Sequence, residues 1–214
     1  MTVSSELVNT LTERVKKTQH GFTDIRRAAD ELATTHTPEE RIALAKVLWT
    51  SDVEQARMLA IYLYGDTCAS HLENLQVMRE VISRDPSWRA QEILAQAFDV
   101  YARDVGYEAA LPVIRSWLAD SFHNVRRAVT EGLRIWTGRP YFKQHPEVAI
   151  RMLSELRADE SEYVRKSVGN ALRDISRQHA ELIRAELATW DTTTKRVMQV
   201  HKLARRFLEP AIKA

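Results

Sequence analysis

Residues 161–176 read SEYVRKSVGNALRDIS, and residues 125–136 read VRRAVTEGLRIW. In both stretches apolar or small residues recur at positions i, i+3, i+4, i+7, i+8 and i+11, counted from Val164 and from Val125. This spacing places the apolar side chains on one face of an α-helix and the charged side chains on the other. The two stretches therefore predict two amphipathic helices of the same design.

Two weaker copies of this pattern lie upstream. One runs from Ala90 to Tyr101, and the other is counted from Gln55, which stands at its missing first position. The four starts are spaced 35, 35 and 39 residues apart, which is typical of helical hairpins stacked in a HEAT or armadillo repeat. We therefore expect an all-α fold, a HEAT/armadillo-like α-solenoid of about six helix pairs with a concave inner face.

The repeats predict one continuous domain over residues 1–214, with the clearest repeats within 51–190 and a C-terminal capping helix within 191–214. Helices 88–101, 122–136 and 161–176 are expected to be consecutive inner helices. Thr37, followed by Pro38 and two acids, is the predicted N-cap of a helix, and Ser161 and Asp191 are expected to start helices similarly. Polar breaks are predicted at His20-Gly21, His36-Thr37-Pro38, Gly65-Asp66, Asp85-Pro86, Val105-Gly106, Gly138-Arg139-Pro140 and Asp159-Glu160.

Composition excludes several classes of protein. Hydrophobic residues make up 44% and charged residues 28%, which is typical of a globular chain, and six Gly with six Pro are too few for a protein built of tight β-turns. The single cysteine, Cys68, excludes an internal disulfide framework and is interpreted as a packed thiol. The first residues contain no apolar signal segment, so we expect a cytoplasmic protein. The seven histidines are scattered without ligand spacing, and we expect no metal, no cofactor and no membrane contact.

Charge is divided unevenly along the chain. Residues 1–120 hold 13 basic and 18 acidic residues, whereas residues 121–214 hold 18 basic and 11 acidic ones. A basic inner surface suits the phosphate backbone of DNA, which attracts Lys and Arg regardless of sequence. The alternative is a solvated face with ion pairs between successive turns. The predicted DNA-binding residues are Arg126, Arg127, Arg134, Arg165, Lys166, Asn170 and Arg173.

The same two stretches resemble a known family. VRRAVTEGLRIW and SEYVRKSVGNALRDIS look like the bacterial DNA alkylation repair proteins of the AlkC and AlkD type, HEAT-like solenoids that include N-alkylpurine DNA glycosylases. The Ser-Glu-Tyr-Val-Arg run, with Asn170 and Asp174 one turn apart, resembles the AlkC branch. The resemblance covers about residues 120–190, and further upstream it rests on the repeats and on the Ser87-Trp88 segment.

The resemblance implies roles for individual residues. Glu131 and Asp174 match acids held to line the active site of AlkC, and a carboxylate near the sugar could stabilise positive charge or activate water. Arg127 matches an arginine of the AlkD branch that contacts the DNA backbone. Trp88 and Glu92 resemble the Trp-x-x-x-Asp pattern of AlkD, in which the aromatic ring cradles the cationic nucleotide.

Two functions from different classes follow. The first is a glycosylase that binds double-stranded alkylated DNA as a monomer and releases cationic N-alkylated purines by hydrolysis. The second is a non-enzymatic scaffold or adaptor that uses the same surface for a DNA structure or a protein. The acid pair favours the enzyme, whereas the combination of Trp88 with Asn170, which mixes the AlkD and AlkC patterns, favours the adaptor.

The basic C-terminal stretch KRVMQVHKLARRFLEPAIK, residues 195–213, also has two interpretations. It is a last helix whose Val197, Val200, Leu203 and Leu208 dock on the preceding repeat, an extension that contacts DNA, or both.

Overall fold

The structure is a computed structural model that describes residues 3–208. Within this range it consists of α-helices and short 3₁₀ turns and contains no β-strand, which confirms the all-α prediction. The 3₁₀ turns are Ile82–Arg84, Trp136–Gly138 and Arg205–Phe207. The helices are α1 (Ser5–Val15), α2 (Thr23–Thr35), α3 (Pro38–Trp49), α4 (Glu54–Gly65), α5 (Glu73–Glu80), α6 (Trp88–Val105), α7 (Leu111–Leu118), α8 (His123–Gly132), α9 (Pro140–Gln144), α10 (Pro146–Glu155), α11 (Glu162–Ser176), α12 (Ala180–Ala188) and α13 (Lys195–Ala204).

These helices form two compact units, which divide after Asp104. In the first unit α3 packs along α4, and α4 also contacts α1, α2 and α5. In the second unit α8 packs against α7 and α11, and α11 packs against α10, α12 and α13. No helix within residues 3–208 combines the length and the hydrophobicity needed to cross a lipid bilayer.

Most helix boundaries lie where the sequence predicts them. Thr37 caps α3 in a capping box, in which the Thr37 hydroxyl accepts from the Glu40 amide and the Glu40 carboxylate accepts from the Thr37 amide. One boundary differs. Helix α13 starts four residues after Asp191, with Thr194 as its N-cap. Ser161 precedes α11 as predicted, but Asp159 accepts its amide hydrogen.

The predicted helix 122–136 is too long, because α8 ends at Gly132. The Arg139 guanidinium donates to the Gly132 carbonyl at 3.1 Å, which satisfies a carbonyl oxygen at the open helix end. Leu133 and Trp136 are nevertheless fully buried, since the 3₁₀ turn brings Trp136 back onto the core. The apolar pattern thus continues beyond the helix, so the sequence pattern alone does not show that the helix ends at Gly132.

An arginine links successive helical repeats in each unit, and it is buried in the second unit and half-buried in the first. Arg126 on α8 is 6% exposed, and its Nε and Nη2 donate to both carboxylate oxygens of Asp159 at 2.6 and 2.8 Å. Its Nη1 donates to the carbonyls of Asp120 and Ser121, just before its own helix. In the first unit Arg57 donates from Nε to Asp85 Oδ2 at 2.9 Å and from Nη1 to the carbonyls of Ser51 and Asp52, in the loop before α4.

The residue at this position of the repeat fixes how successive repeats align. Gln91 holds the same position on α6, where its amide donates to the Asp85 carbonyl at 2.8 Å. Arg57, Gln91 and Arg126 each follow the first buried residue of their pattern, which in α4 is Ala56. The arginine contacts align the α4 copy with the others from Ala56, one residue after Gln55, while Met58, Leu59, Tyr62 and Leu63 of the predicted pattern are all buried.

Cys68 is a packed thiol, as the sequence predicts. It follows α4, is fully buried, and its Sγ lies 3.4 Å from the Met78 sulfur. Burial raises the pKa of the Cys68 thiol to about 12, so the group stays protonated and unreactive at neutral pH.

Replacing Arg126 with Met is expected to destabilise the protein, because the Asp159 carboxylate would remain buried without its counterion. We expect a loss of about 3 kcal/mol in the free energy of unfolding, measured by urea denaturation. Adding Asp159→Asn should recover part of this loss. Arg151→Met, at an exposed site of α10, is the matched control and should change stability by less than about 0.5 kcal/mol. Equal losses from Arg126→Met and Arg151→Met would contradict a structural role for the buried pair.

Candidate active site and nucleic-acid interface

Two acids from neighbouring helices meet at one arginine in the second unit. Arg134 lies two residues beyond the end of α8, and its Nε is 3.3 Å from Asp174 Oδ2 on α11. Its Nη1 is 3.7 Å from Glu131 Oε2. The acid side chains are only 16% and 17% exposed, whereas Arg134 is 41% exposed. The structure thus brings the two sequence-predicted acids to a common guanidinium.

A second arginine holds Asp174 from the other side. Arg173 donates from Nε and Nη2 to Asp174 Oδ1 at 3.2 and 3.0 Å, and from Nη1 to Asn170 Oδ1 at 3.0 Å. Its guanidinium also stacks on the Phe207 ring, 5.4 Å from the ring centre, and Arg177 lies over the same ring at 4.3 Å. We name Glu131, Arg134, Arg173 and Asp174 the acid cluster. Sequence reasoning missed the aromatic support, because Phe207 lies outside the repeat pattern.

Two predicted DNA-binding arginines are instead structural. Arg126 is removed from the predicted set, because Asp159 and loop carbonyls engage its buried guanidinium. Arg165 on α11 repeats the arrangement, with Nε donating to Gln199 and Nη1 donating to the carbonyls of Asp159 and Glu160. Both arginines directly follow a buried valine, so helix geometry turns them toward the preceding loop and the next repeat.

Three other predicted cations lie nearer to solvent, whereas Arg173 is 15% exposed and engaged in the acid cluster. Arg127 is half-buried on α8, one helical position and thus about 100° around the axis from Arg126. Lys166 on α11 is exposed and pairs with Glu162 one turn earlier at 2.7 Å. Arg134, a member of the acid cluster, is the third of these more exposed cations. The pair between Lys166 and Glu162 matches the alternative prediction of ion pairs between successive turns. Such exposed pairs contribute little to the free energy of folding.

The first unit presents an aromatic surface. Trp88 is the first residue of α6 and is 69% exposed, and Glu92 lies one turn further along the same helix, half-buried. The neighbours of Trp88 are anchored, since the Ser87 hydroxyl and the Arg89 guanidinium both donate to the Glu54 carboxylate. The indole therefore projects from a fixed stretch of backbone.

The other tryptophans are interior residues, with one partial exception. Trp117, Trp136 and Trp190 are at most 8% exposed, and Trp49 is half-buried. Only Trp88 among the five offers a wide ring surface to solvent.

A basic groove, absent from the predicted site, opens between α11 and α13. It has a volume of about 790 Å³ and continues to the 3₁₀ turn at Arg205–Phe207. We name it the C-terminal groove; its lining includes Lys166, Asn170, Met198, Lys202, Leu203 and Arg206. The signal in the sequence is a run without acids, since residues 192–208 contain five Lys and Arg and no Asp or Glu.

The docking interpretation of the C-terminal stretch agrees with the packing of α13. Val197 and Val200 are buried, and the side chain of Leu203 lies against Gly169 of α11 so closely that a Cβ at Gly169 would stand 2.6 Å from it. Residues 209–213 of that stretch lie outside the described residues. Among residues 3–208, no three His, Cys, Asp or Glu side chains group as a metal site would require.

Comparison with known proteins identifies the family. Residues 21–213 match the sequence profile described as DNA alkylation repair enzyme. The chain belongs to this family. The crystal structure of AlkD2 from Streptococcus mutans is 45% identical and superposes with a TM-score of 0.92, over 94% of this chain and 97% of that one.

More distant relatives of this DNA alkylation repair family share part of their length with the chain. An uncharacterised protein of Bacillus subtilis, YhaZ, is 35% identical over 47% of this chain, which corresponds to 29% of YhaZ. The alkylpurine DNA glycosylase AlkC of Pseudomonas fluorescens, solved bound to DNA containing an abasic site analogue, is 22% identical with a TM-score of 0.52. This chain spans 65% of that AlkC chain and 96% of its own length, and the likeness concerns the fold.

Exposure of Trp88 in this family member gives a spectroscopic prediction. We expect acrylamide to quench one fraction of the tryptophan fluorescence readily, and Trp88→Phe to remove that fraction, because the buried tryptophans are shielded from the quencher. Trp136→Phe is the control and should leave the quenchable fraction in place. A quenchable fraction of unchanged size after Trp88→Phe would contradict the exposed position of this ring.

Proposed function

We propose that the protein binds duplex DNA and excises cationic N-alkylated purines by hydrolysis, with Glu131 and Asp174 as the catalytic carboxylates. The observation that carries this proposal is the meeting of two poorly exposed acids from different helices at Arg134. Membership of the DNA alkylation repair family and the likeness to AlkD2 support it. The AlkC relative bound to DNA with an abasic site analogue supports DNA as the ligand.

The proposed reaction needs little from the protein beyond negative charge and an oriented water. An alkylated purine is already cationic, so the bond between C1′ and the purine nitrogen breaks with its electron pair moving to the base, which becomes neutral. The sugar that remains is an oxocarbenium-like cation, which a nearby carboxylate stabilises. Water then adds to C1′, and its proton passes to a carboxylate or to solvent. The products are the free base and an abasic site.

Arg134 would link DNA binding to this chemistry. The acid cluster holds two carboxylates and two guanidiniums, so its net charge is zero. Arg134 is the more exposed of the two arginines, whereas Arg173 is 15% exposed and grips Asp174 through two nitrogens. A DNA phosphate that draws Arg134 away would leave one net negative charge at the acids. In this proposal the acids gain attraction for a cationic sugar only when DNA is bound.

Trp88 and Glu92 are proposed as further contributors, from the first unit. An exposed indole on anchored backbone is suited to contact a cationic base. Glu92 is longer than the Asp of the resembled pattern by one methylene, which displaces its carboxylate by about 1.5 Å. We propose Trp88 as a binding residue and Glu92 as an acid near the sugar.

The catalytic roles are tested by Asp174→Asn and Glu131→Gln. Each should lower the rate of release of alkylated purines from methylated duplex DNA by tenfold or more, corresponding to about 1.4 kcal/mol of barrier. Affinity for DNA should stay the same or rise, because a negative charge near the phosphates is lost. Glu155→Gln, at an exposed position of α10, is the matched control and should change neither quantity. Unchanged excision by both variants would remove the acids from the mechanism.

DNA binding by the second unit is tested by charge removal. Arg127→Gln combined with Arg134→Gln should weaken duplex binding and reduce the slope of log affinity against log salt by about 2, since each phosphate contact contributes about 0.9. Arg79→Gln combined with Arg103→Gln, in the first unit, removes the same charge and should have a much smaller effect. Equal losses would show that only the overall charge matters. Arg165 is unsuitable for this test, because its replacement would also remove structural hydrogen bonds.

The second candidate is a non-enzymatic DNA-binding scaffold. It is favoured by the same neutral acid cluster, because paired acids and arginines also occur where a cluster only stabilises the fold. The two candidates differ in one measurement. A wild-type protein that binds duplex DNA but releases no base from methylated DNA supports the scaffold and contradicts the glycosylase.

A further inference from the structure

The C-terminal groove has two kinds of surface. Its rim carries exposed cations, among them Lys202 on α13 and Arg206 on the 3₁₀ turn. Neither of these two side chains forms an ion pair within residues 3–208, in contrast to Lys166, which pairs with Glu162. Because no acid occurs between residues 192 and 208, the rim attracts anions with little internal competition.

Part of the lining of the groove is apolar. Met198 lies at the groove and is 53% exposed, and Leu203 lines the groove beside it. Backbone phosphates and sugars alone would leave this apolar surface uncovered. A methionine side chain is flexible and its sulfur makes favourable contacts with aromatic rings, so Met198 is suited to the face of an unstacked base.

Polar groups at the groove suit the edge of a base. Asn170 lines it from α11 and offers an amide, which can both donate and accept. His201 also lines it, and burial together with the neighbouring Arg205 lowers the pKa of this imidazole, which favours its neutral form. The volume of about 790 Å³ lies within the range typical of small-ligand sites.

We propose that the C-terminal groove binds an unpaired nucleotide of a DNA strand, with its phosphate at Lys202 and Arg206 and its base against Met198 and Leu203. This inference rests on the proposed DNA binding and adds to it a site for single-stranded DNA. The site adjoins the acid cluster at Asn170, whose Oδ1 accepts from Arg173, but neither Lys202 nor Arg206 pairs with an acid of that cluster. Its expected ligands are strand ends, flaps or gaps next to a duplex.

The experiment compares three labelled DNA molecules with the same duplex. The first is blunt, the second carries a four-nucleotide single-stranded overhang, and the third carries an overhang of four abasic residues, which keeps the phosphates and removes the bases. We expect the wild-type protein to bind the normal overhang at least threefold more tightly than the abasic one, and the abasic one more tightly than the blunt duplex.

Two variants separate the base contact from the phosphate contact. Met198→Ala should reduce the preference for the normal over the abasic overhang to near one, without changing affinity for the blunt duplex. Lys202→Gln combined with Arg206→Gln should weaken both overhangs alike. The matched controls are Leu72→Ala, which also removes an exposed apolar side chain and should leave the preference unchanged, and Lys17→Gln, which removes an exposed cation and should leave the affinity for both overhangs unchanged.

The outcomes distinguish the two proposals. Equal affinity of the wild-type protein for normal and abasic overhangs would overturn the base site. A preference that survives Met198→Ala would overturn its placement in this groove. If the protein binds the blunt duplex and neither overhang raises its affinity, this inference is refuted and the proposed DNA binding stays intact. If it binds none of the three molecules, the proposed DNA binding itself is refuted.

Discussion

The buried pair between Arg126 and Asp159 sets the geometry of the second unit. A buried charge without a counterion lowers the stability of a protein by several kcal/mol. The folded chain therefore has to bring Arg126 and Asp159 together. Their meeting joins α8 to the loop before α11, and the Asp159 carboxylate also accepts the Ser161 amide at the start of that helix. Once the beginnings of α8 and α11 are fixed in this way, their later turns lie side by side. Glu131 and Asp174 meet because of this register, not through any direct attraction between two acids.

Two consecutive arginines, Arg126 and Arg127, lie in different environments. Arg126 is buried and serves the fold, whereas Arg127 is half-buried on another side of the same helix. The net positive charge of the C-terminal half therefore overstates the number of cations available to DNA, because Arg126 and Arg165 are already engaged by the protein. Other cations of this half stay exposed, among them Arg151 and Arg184 on helices and Lys202 in the C-terminal groove. Charge counts along a sequence locate the half of the chain that favours a polyanion, and burial determines which side chains can contact it.

Sequence reasoning predicted the parts of this structure that depend on local rules. Apolar periodicity and cap residues located the helices, and the capping box at Thr37 is an example in which one local motif sufficed. Apolar periodicity predicted the wrong local structure where long-range contacts determine the conformation. Trp136 continues the helical periodicity, yet it lies in a 3₁₀ turn, because a buried position can be reached from more than one backbone conformation. Arg126 is likewise indistinguishable from a surface arginine until Asp159, 33 residues later, is placed beside it.

The acid cluster joins these local and long-range effects. Because α8 ends at Gly132, Arg134 is released from the helix and reaches across to Asp174, which a continuous helix through Trp136 would place differently. A helix end is also where a backbone can shift at small energetic cost, since few hydrogen bonds hold it. Arg173, in contrast, lies within α11 and is held by Asn170, Asp174 and the ring of Phe207. The two arginines of the cluster therefore differ in how they are held: Arg173 is fixed within a helix and by an aromatic contact, whereas Arg134 lies beyond a helix end and is 41% exposed.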